Sequence, residues 1–241
     1  MEQRLTVKER VEMERVEAAK DPVGRYTRVG LWALPVFALL LGVGTSTHQP
    51  PPQTQLADWS RYVTTDIFLI KHLVASIGGA VFGVLGIMAM GVAFIRLGSV
   101  RLGLWGLVTG VAANVLLSSI FGVAAYTQPA IGRFYLAGHH DLAQSLYYDA
   151  AQGTPMVLMA LAGLLLLISS LVIFGVATAR RPELPRLAGI GLAVSVVLFA
   201  LIGFLLDNWV QTVASALMLA SSVWIVIALS REPGSVSDAR I

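Results

Sequence analysis

The sequence contains no cysteine, and few of its residues are charged. Without cysteine the chain has no disulfide, no cysteine-ligated zinc or iron–sulfur cluster and no thiol nucleophile. Charged residues make up 13% of the 241 residues, whereas soluble proteins usually contain about 25%. Hydrophobic residues make up 56%, and the mean hydropathy is +0.75. These values predict a protein whose solvent is mainly lipid.

The signatures of common enzyme classes are missing as well. No serine lies in a G-x-S-x-G context, and no nucleotide-binding loop of the GxxxxGK type occurs. The formal charge of +3 does not indicate nucleic-acid binding, because the basic residues lie at the ends of apolar runs. The charged first 28 residues lack the apolar core of a cleavable signal peptide. We therefore expect no catalysis and no nucleic-acid partner.

Six apolar runs are present, at about 29–43, 67–95, 102–126, 156–178, 187–206 and 209–229. The second run has no charge from Leu73 to Ile95, and at about 1.5 Å per residue this stretch crosses a hydrocarbon core of about 30 Å. The predicted fold is all-α, a polytopic membrane protein with six transmembrane helices and one short interfacial helix in the second outer loop. The predicted domains are a cytoplasmic polar arm at 1–28, a membrane domain at 29–230 and a cytoplasmic tail at 231–241.

Small residues follow one face of the second apolar run. Steps of three or four residues place six positions on one seam of a helix, namely His72, Ser76, Gly79, Gly83, Gly86 and Met90. In the third run Gly106 and Gly110 have GxxxG spacing, and Asn114 follows one turn later. Small residues let helix backbones approach closely in a membrane. We expect these two spans to form the close-packed centre, with these five glycines as its packing seam.

Proline and glycine punctuate the first part of the chain. Asp21-Pro22 and Gly24 are expected to end any helix in the arm, and Pro35 is expected to kink the first span. The first outer loop contains the stiff run Pro50–Pro52. A helix is expected to resume near Leu56 and to continue without a break into the second span.

Aromatic residues are expected at the membrane interface in both outer loops. In the first loop Trp59, Tyr62 and Phe68 are predicted to form a collar at headgroup depth. In the second loop Asp141 is predicted to cap a short interfacial helix that ends at Gly153. Its apolar face would contain Leu142, Leu146 and Ala150, and Tyr147 and Tyr148 would lie at headgroup depth.

Basic residues indicate the orientation of the chain. With both termini in the cytoplasm, three of the 17 basic residues (Arg61, Lys71 and Arg133) and five of the 14 acidic residues lie outside. This is the positive-inside pattern. It predicts a protein integral to the cell (inner) membrane with both termini cytoplasmic.

In this orientation all four histidines (His48, His72, His139 and His140) lie on the outer side. His72 is at the top of the small-residue seam, and a histidine there can sense pH, relay a proton or bind a metal. Asn114 lies near mid-membrane, where its amide is expected to face a neighbouring helix or a cavity. The predicted outward-facing polar site consists of His72, Ser76, Asn114 and Asp207.

Metal and haem sites have weaker support. His139, His140 and Asp141 are common metal ligands, but neighbouring side chains on a helix point about 100° apart and seldom bind one ion. A b-type haem would need a second axial ligand opposite His72, and only the outer loops contain one. We expect no metal site and no cofactor.

Three functions remain open at this point. The first is a non-enzymatic membrane module (a sensor, an assembly factor or a subunit) whose partners are the bilayer and another membrane protein or a second copy of itself. The second is a small permease or ligand-binding bundle with an outward-opening cavity that reaches Asn114. The third is a haem-binding redox protein.

Overall fold

The computed structural model describes residues 21–46, 49–202 and 208–231, and every regular element in these ranges is helical. The predicted all-α class is therefore confirmed for this part of the chain. The α-helices in chain order are α1 (Pro22–Leu31), α2 (Ala33–Thr45), α3 (Leu56–Val63), α4 (Asp66–Ile70), α5 (Gly78–Arg96), α6 (Val100–Gly122), α7 (Gln128–Leu136), α8 (His140–Leu146), α9 (Thr154–Ala179), α10 (Arg186–Val197) and α11 (Asn208–Arg231). Single π-helical segments extend four of these helices, at Lys71–Ile77, Val123–Thr127, Tyr147–Ala151 and Leu198–Ile202.

Among the described residues, five helical stretches are long and apolar enough to cross a membrane. They are Pro22–Thr45, Asp66–Arg96, Val100–Leu136, Thr154–Ala179 and Trp209–Ser230. The sequence predicts six such helices. The fifth apolar run forms the shorter helix Arg186–Ile202, and the rest of that run and the turn residue Asp207 lie outside the described residues. By length and composition, these helices fit a membrane protein with several spans.

The first span begins earlier than predicted. Asp21 caps α1 by accepting a hydrogen bond from the backbone N–H of Gly24 (2.9 Å), and Pro22 occupies the first turn. Gly24 lies inside α1 and does not end a helix, and aspartate at the N-cap with proline in the first turn acts here as a start signal. A helix that ends at Asp21 would lie in residues 1–20, outside the described residues. The predicted boundary at residue 28 falls inside α1. The helix breaks at Trp32, one turn before Pro35, whose missing N–H cannot bond the carbonyl of Leu31.

Charged groups connect the first two spans at the end of the bundle where the first span begins. The carboxylate of Asp21 pairs with both terminal nitrogens of the Arg96 guanidinium, and the Nη1–Oδ1 distance is 2.9 Å. Hydrogen bonding to Arg96, together with the Gly24 N–H, lowers the pKa of Asp21 below its usual value. Because Arg96 ends α5, this pair ties the start of the first span to the end of the second.

The helix that begins at Leu56 does not continue into the second span. It ends at Val63, and α4 begins at Asp66 with Thr65 as its N-cap. The hydroxyl of Thr65 donates to the carbonyl of Tyr62 (2.7 Å) and accepts from the N–H of Phe68 (3.3 Å). Threonine side chains that bond to nearby backbone compete with helical hydrogen bonds, which explains the break between α3 and α4.

Glycines set the close contacts inside the bundle. A Cβ on Gly86 would lie 2.6 Å from the backbone nitrogen of Leu34, so the second span packs directly on the backbone of α2. The fourth and fifth apolar runs approach as closely, since a Cβ on Gly175 or on Gly189 would lie 2.5 Å from the carbonyl oxygen of the other. The bundle core contains the side chains of all six apolar runs.

A second, separate core lies outside the bundle. Its buried side chains come from α3, α4, α7, α8 and the π-helical segment after α8, and they are Trp59, Val63, Phe68, Ile131, Ala143, Tyr147 and Ala151. We call this region, residues 56–68 and 128–151, the cap. The aromatic collar predicted from Trp59, Tyr62 and Phe68 is not found, because Trp59 and Phe68 are fully buried in the cap core.

Candidate functional site

The structure places His72 under the cap, on the π-helical segment before α5. Its ring stacks on Phe68 with centroids 4.1 Å apart and planes tilted by 36°. Its Nδ1 donates to the carbonyl oxygen of Phe68 (2.9 Å). Because a carbonyl only accepts, this contact places the proton on Nδ1 and leaves Nε2 as the acceptor in the neutral ring. His72 thus connects the second span to the cap core through Phe68.

Ser76 lies one turn further along the helix, against the C-terminal end of the first span. A Cβ on Gly44 would lie 3.6 Å from its Oγ. Other polar contacts lie at this level of the bundle. Lys71 Nζ donates to Ser46 Oγ (3.2 Å), and the hydroxyls of Thr45 and Thr212 are 3.1 Å apart. These contacts join the first span to the second and to the last.

Asn114 is buried deeper in the bundle and is 1% exposed. Its Nδ2 donates to the carbonyl of Gly110, one turn back on α6 (2.9 Å). Its Oδ1 has no hydrogen-bond partner among the described residues and lies against Gly83, where a Cβ would collide with it. The Gly83 hydrogen in that position can make a weak Cα–H···O contact, as is common between packed helices. The amide faces a neighbouring helix, one of the two environments expected for it.

The four predicted polar-site residues do not form one site among the described residues. His72 contacts Phe68 of α4, and Ser76 lies beside Gly44 near the C-terminal end of α2, whereas Asn114 contacts Gly83. Asp207 and His48 lie outside the described residues. With 1% exposure, Asn114 is closed to water in this conformation.

The predicted seam glycines contact four different helices, namely α2, α5, α6 and α9. On α5, Gly79 faces Leu40 of the first span, Gly83 faces Asn114 and Phe37, and Gly86 faces Leu34. On α6, Gly106 faces the ring of Phe174 in α9, and Gly110 faces Ser170 of α9 and Ile87 of α5. A further pair, Gly91 and Gly103, brings the backbones of the second and third spans together: a Cβ on Gly103 would lie 2.8 Å from the carbonyl oxygen of Gly91.

The adjacent histidines His139 and His140 are exposed, and each meets an aromatic ring edge to face. His140 meets Tyr135 edge to face with centroids 4.4 Å apart, and His139 lies 6.3 Å from Phe134. Within residues 21–46, 49–202 and 208–231, no three His, Cys, Asp or Glu side chains lie close enough to hold a metal ion. His139 rather than Asp141 is the residue before α8.

The short helix of the second loop buries a different face from the one predicted. Ala143, Tyr147 and Ala151 are buried, whereas Leu142 is 48% exposed. These buried residues pack on Trp59 and Ile131 of the cap core. The face that packs on protein therefore differs from the predicted apolar face of Leu142, Leu146 and Ala150, and contact of that face with lipid stays a prediction.

A groove of about 510 Å³ opens on the cap. One wall is the segment 52–58, which includes Gln53 and Asp58. The other wall carries Tyr135, His140, Gln144, Tyr147 and Tyr148, from α7, α8 and the π-helical segment after it. Groups of both kinds, apolar rings and hydrogen-bonding side chains, therefore face one concave surface, as in small-molecule sites.

Tyr147 connects the groove to the cap core. Its side chain is 3% exposed, its ring meets Trp59 edge to face with centroids 5.2 Å apart, and its hydroxyl accepts a hydrogen bond from Gln53 Nε2 (3.3 Å). Burial disfavours the phenolate, with a smaller contribution from Tyr148, and raises the pKa of Tyr147 to about 12. The hydroxyl stays protonated at neutral pH and keeps its capacity to donate.

The groove residues belong to two loops that are far apart in the sequence, and nothing in the sequence pattern predicts that these loops form one groove. The signal for the groove is the cap core, since Trp59 and Tyr147 can be buried only if the two outer loops pack on each other. Comparison with protein families, curated proteins and solved structures finds no match to this chain.

Proposed function

We propose that this protein is a non-enzymatic membrane module that binds a ligand in the cap groove on the outer side of the cell (inner) membrane. In this proposal six spans cross the membrane, the fifth being the run that includes Arg186–Ile202, and both termini are cytoplasmic. The single observation that carries the proposal is the groove, a concave surface with rings and polar side chains on a folded cap outside the bundle.

The charge distribution supports the outward placement of the cap. The described residues at the opposite end of the bundle include arginines beside four helix ends, namely Arg28, Arg96, Arg101, Arg180, Arg181 and Arg186. The cap region holds Arg61 and Arg133 with Asp58, Asp66, Asp141 and Asp149. Basic residues concentrate on the cytoplasmic side of membrane proteins, so the cap belongs to the outer side.

The permease is the second candidate, and the packing of Asn114 is unfavourable to it. A pathway for a solute needs a water-accessible cavity that reaches the middle of the bundle. Asn114 is buried against Gly83 and its own helix. We therefore favour binding at the cap over passage through the bundle.

Cysteine labelling distinguishes these two candidates, because the native chain has no cysteine to interfere. Single variants Gln144→Cys, Asn114→Cys and Val100→Cys are treated in intact cells with a membrane-impermeant maleimide, and again after permeabilisation. We expect Gln144→Cys to react in intact cells and Val100→Cys, exposed at the start of α6, to react only after permeabilisation. Asn114→Cys should react in neither condition.

Each alternative has its own labelling pattern. Reaction of Asn114→Cys in intact cells would establish an outward-opening cavity and favour the permease. Reaction of Gln144→Cys only after permeabilisation would place the cap in the cytoplasm and contradict the proposal. Circular dichroism and size-exclusion profiles that match the wild type confirm that each variant is folded.

A further inference from the structure

The aromatic side chains of the groove stand at steep angles to one another. Tyr147 and Tyr148 have ring centroids 5.3 Å apart and planes at 78°. Tyr135 and His140 have centroids 4.4 Å apart and planes at 70°. Of these rings, Tyr135 and Tyr148 line the groove and are not buried, and aromatic faces attract quaternary and methylated ammonium groups through cation–π interaction.

The charge of the groove favours a cation. Among the described residues that line it, Asp58 is the one with a formal charge, and none is lysine or arginine. The Asp58 carboxylate is 2.8 Å from Arg61 Nη2, but both side chains are largely exposed, and exposed pairs of this kind contribute little. A phosphate or carboxylate entering the groove would meet the Asp58 carboxylate and the negative faces of Tyr135 and Tyr148, with no lysine or arginine among the described lining residues to bind it.

The polar side chains of the groove suit an ammonium group with a hydroxyl or ether nearby. Gln53 already donates to the Tyr147 hydroxyl, and Gln144 and Tyr148 are exposed in the wall. Because the Tyr147 hydroxyl stays protonated, its pKa being raised to about 12, this ring bears no charge of its own at neutral pH. Attraction of a cation then comes from the ring faces and from Asp58.

We propose that the cap groove binds a quaternary or methylated ammonium group, held by the faces of Tyr135 and Tyr148 and by the carboxylate of Asp58. This inference rests on the proposed function and specifies its ligand class. The same chemistry is offered by free choline-like solutes and by the headgroups of choline lipids. Their common feature is a compact cation without an N–H donor, which rings bind better than water-exposed carboxylates do.

Calorimetric titration tests the proposal on the full-length protein in phosphatidylglycerol nanodiscs. Choline is compared with 3,3-dimethylbutan-1-ol, which has the same shape and no charge. We expect choline to bind and the neutral analogue to bind at least about tenfold more weakly. Equal binding of the two, or no binding of choline, would overturn the ammonium proposal.

Variants identify the groups that bind the probe. Tyr148→Ala is expected to weaken choline binding about tenfold, whereas Tyr148→Phe, which keeps the ring, should stay within about twofold of wild type. Asp58→Asn should also weaken binding. Tyr126→Ala is the matched control, because Tyr126 is 63% exposed and lies outside the groove. Loss of binding in Tyr126→Ala, or full binding in Tyr148→Ala, would contradict the assignment to this groove.

Two further experiments distinguish a lipid headgroup from a free solute as the ligand, and distinguish failure of the ligand assignment from failure of the proposed function. In phosphatidylcholine nanodiscs, weaker apparent binding of free choline would identify the lipid headgroup as a competing source of the same chemistry, and unchanged binding would identify free solutes. Labelling of Gln144→Cys from outside together with no choline binding would refute the ammonium ligand alone. Labelling only after permeabilisation would refute the proposed function on which it rests.

Discussion

Replacing Gly86 with alanine is expected to destabilise the bundle severely. The new Cβ would lie 2.6 Å from the nitrogen and 2.8 Å from the Cα of Leu34, and backbone atoms cannot move aside as a side-chain end can. Inserting one methyl into a packed core typically costs about 1–3 kcal/mol and more when backbone must shift. The expected result is a lower unfolding temperature in detergent and a much lower yield of folded protein.

A graded alanine series separates this effect from helix propensity. Gly79→Ala should be milder, because its Cβ would lie 3.3 Å from Leu40 Cβ. Gly83→Ala should be intermediate, since it would displace the Asn114 side chain. Gly122→Ala is the control: no atom lies within 4 Å of its Cβ, and alanine favours a helix by about 1 kcal/mol over glycine. Equal losses along the series, or a stable Gly86→Ala, would refute the close approach of α2 and α5.

Replacing Trp59 with alanine is expected to unfold the cap and leave the membrane bundle intact. Trp59 is fully buried and packs edge to face on Tyr147. Removing a buried tryptophan side chain costs about 3–5 kcal/mol, which is large for a core of seven buried residues. Limited proteolysis should cut near residues 56–63 and 128–151 in the variant, while the helical circular dichroism falls only in proportion to the cap.

Two controls make the Trp59 result specific. Trp59→Phe should be far milder, because it keeps an aromatic ring and removes the indole N–H, which has no hydrogen-bond partner among the described residues. Trp105→Ala should leave both regions folded, since Trp105 is 62% exposed on α6. Global unfolding of Trp59→Ala would show that cap and bundle are one cooperative unit, and unchanged proteolysis would contradict the cap core.

Much of the bundle follows from local sequence signals. Apolar runs of span length predict helices in lipid, and the seam glycines of α5 follow from helical spacing alone. Gly86 and Gly83 indeed lie where other helices come close. The partners could not be deduced in this way. Residue spacing shows which face of α5 carries small side chains, but only the structure shows that this face packs on α2 of the first span.

The cap was the least predictable part, for a physical reason. Trp59 and Tyr147 are apolar rings with a polar atom, and such residues occur both at membrane interfaces and in protein cores. The sequence pattern of each outer loop fits either environment. Only the packing of α3 on α7 and α8 decides between them, and it joins residues as far apart as Gln53 and Tyr147, which are separated by 94 positions. The break between α3 and α4 at Thr65 could not be predicted from the sequence pattern either, because it depends on hydrogen bonds between the Thr65 side chain and the backbone.

The topology, six spans with both termini cytoplasmic, is the central claim, since the outward position of the cap depends on the side of the membrane where the N-terminus lies. It is tested most directly by single cysteines at Gln3 and Ser237, near the two chain ends and outside the described residues, labelled with an impermeant maleimide. The account predicts that both react only after the membrane is permeabilised. Labelling of the Ser237 variant in intact cells, with the Gln3 variant protected, would mean five spans. Labelling of the Gln3 variant in intact cells would put the arm outside and the cap groove in the cytoplasm.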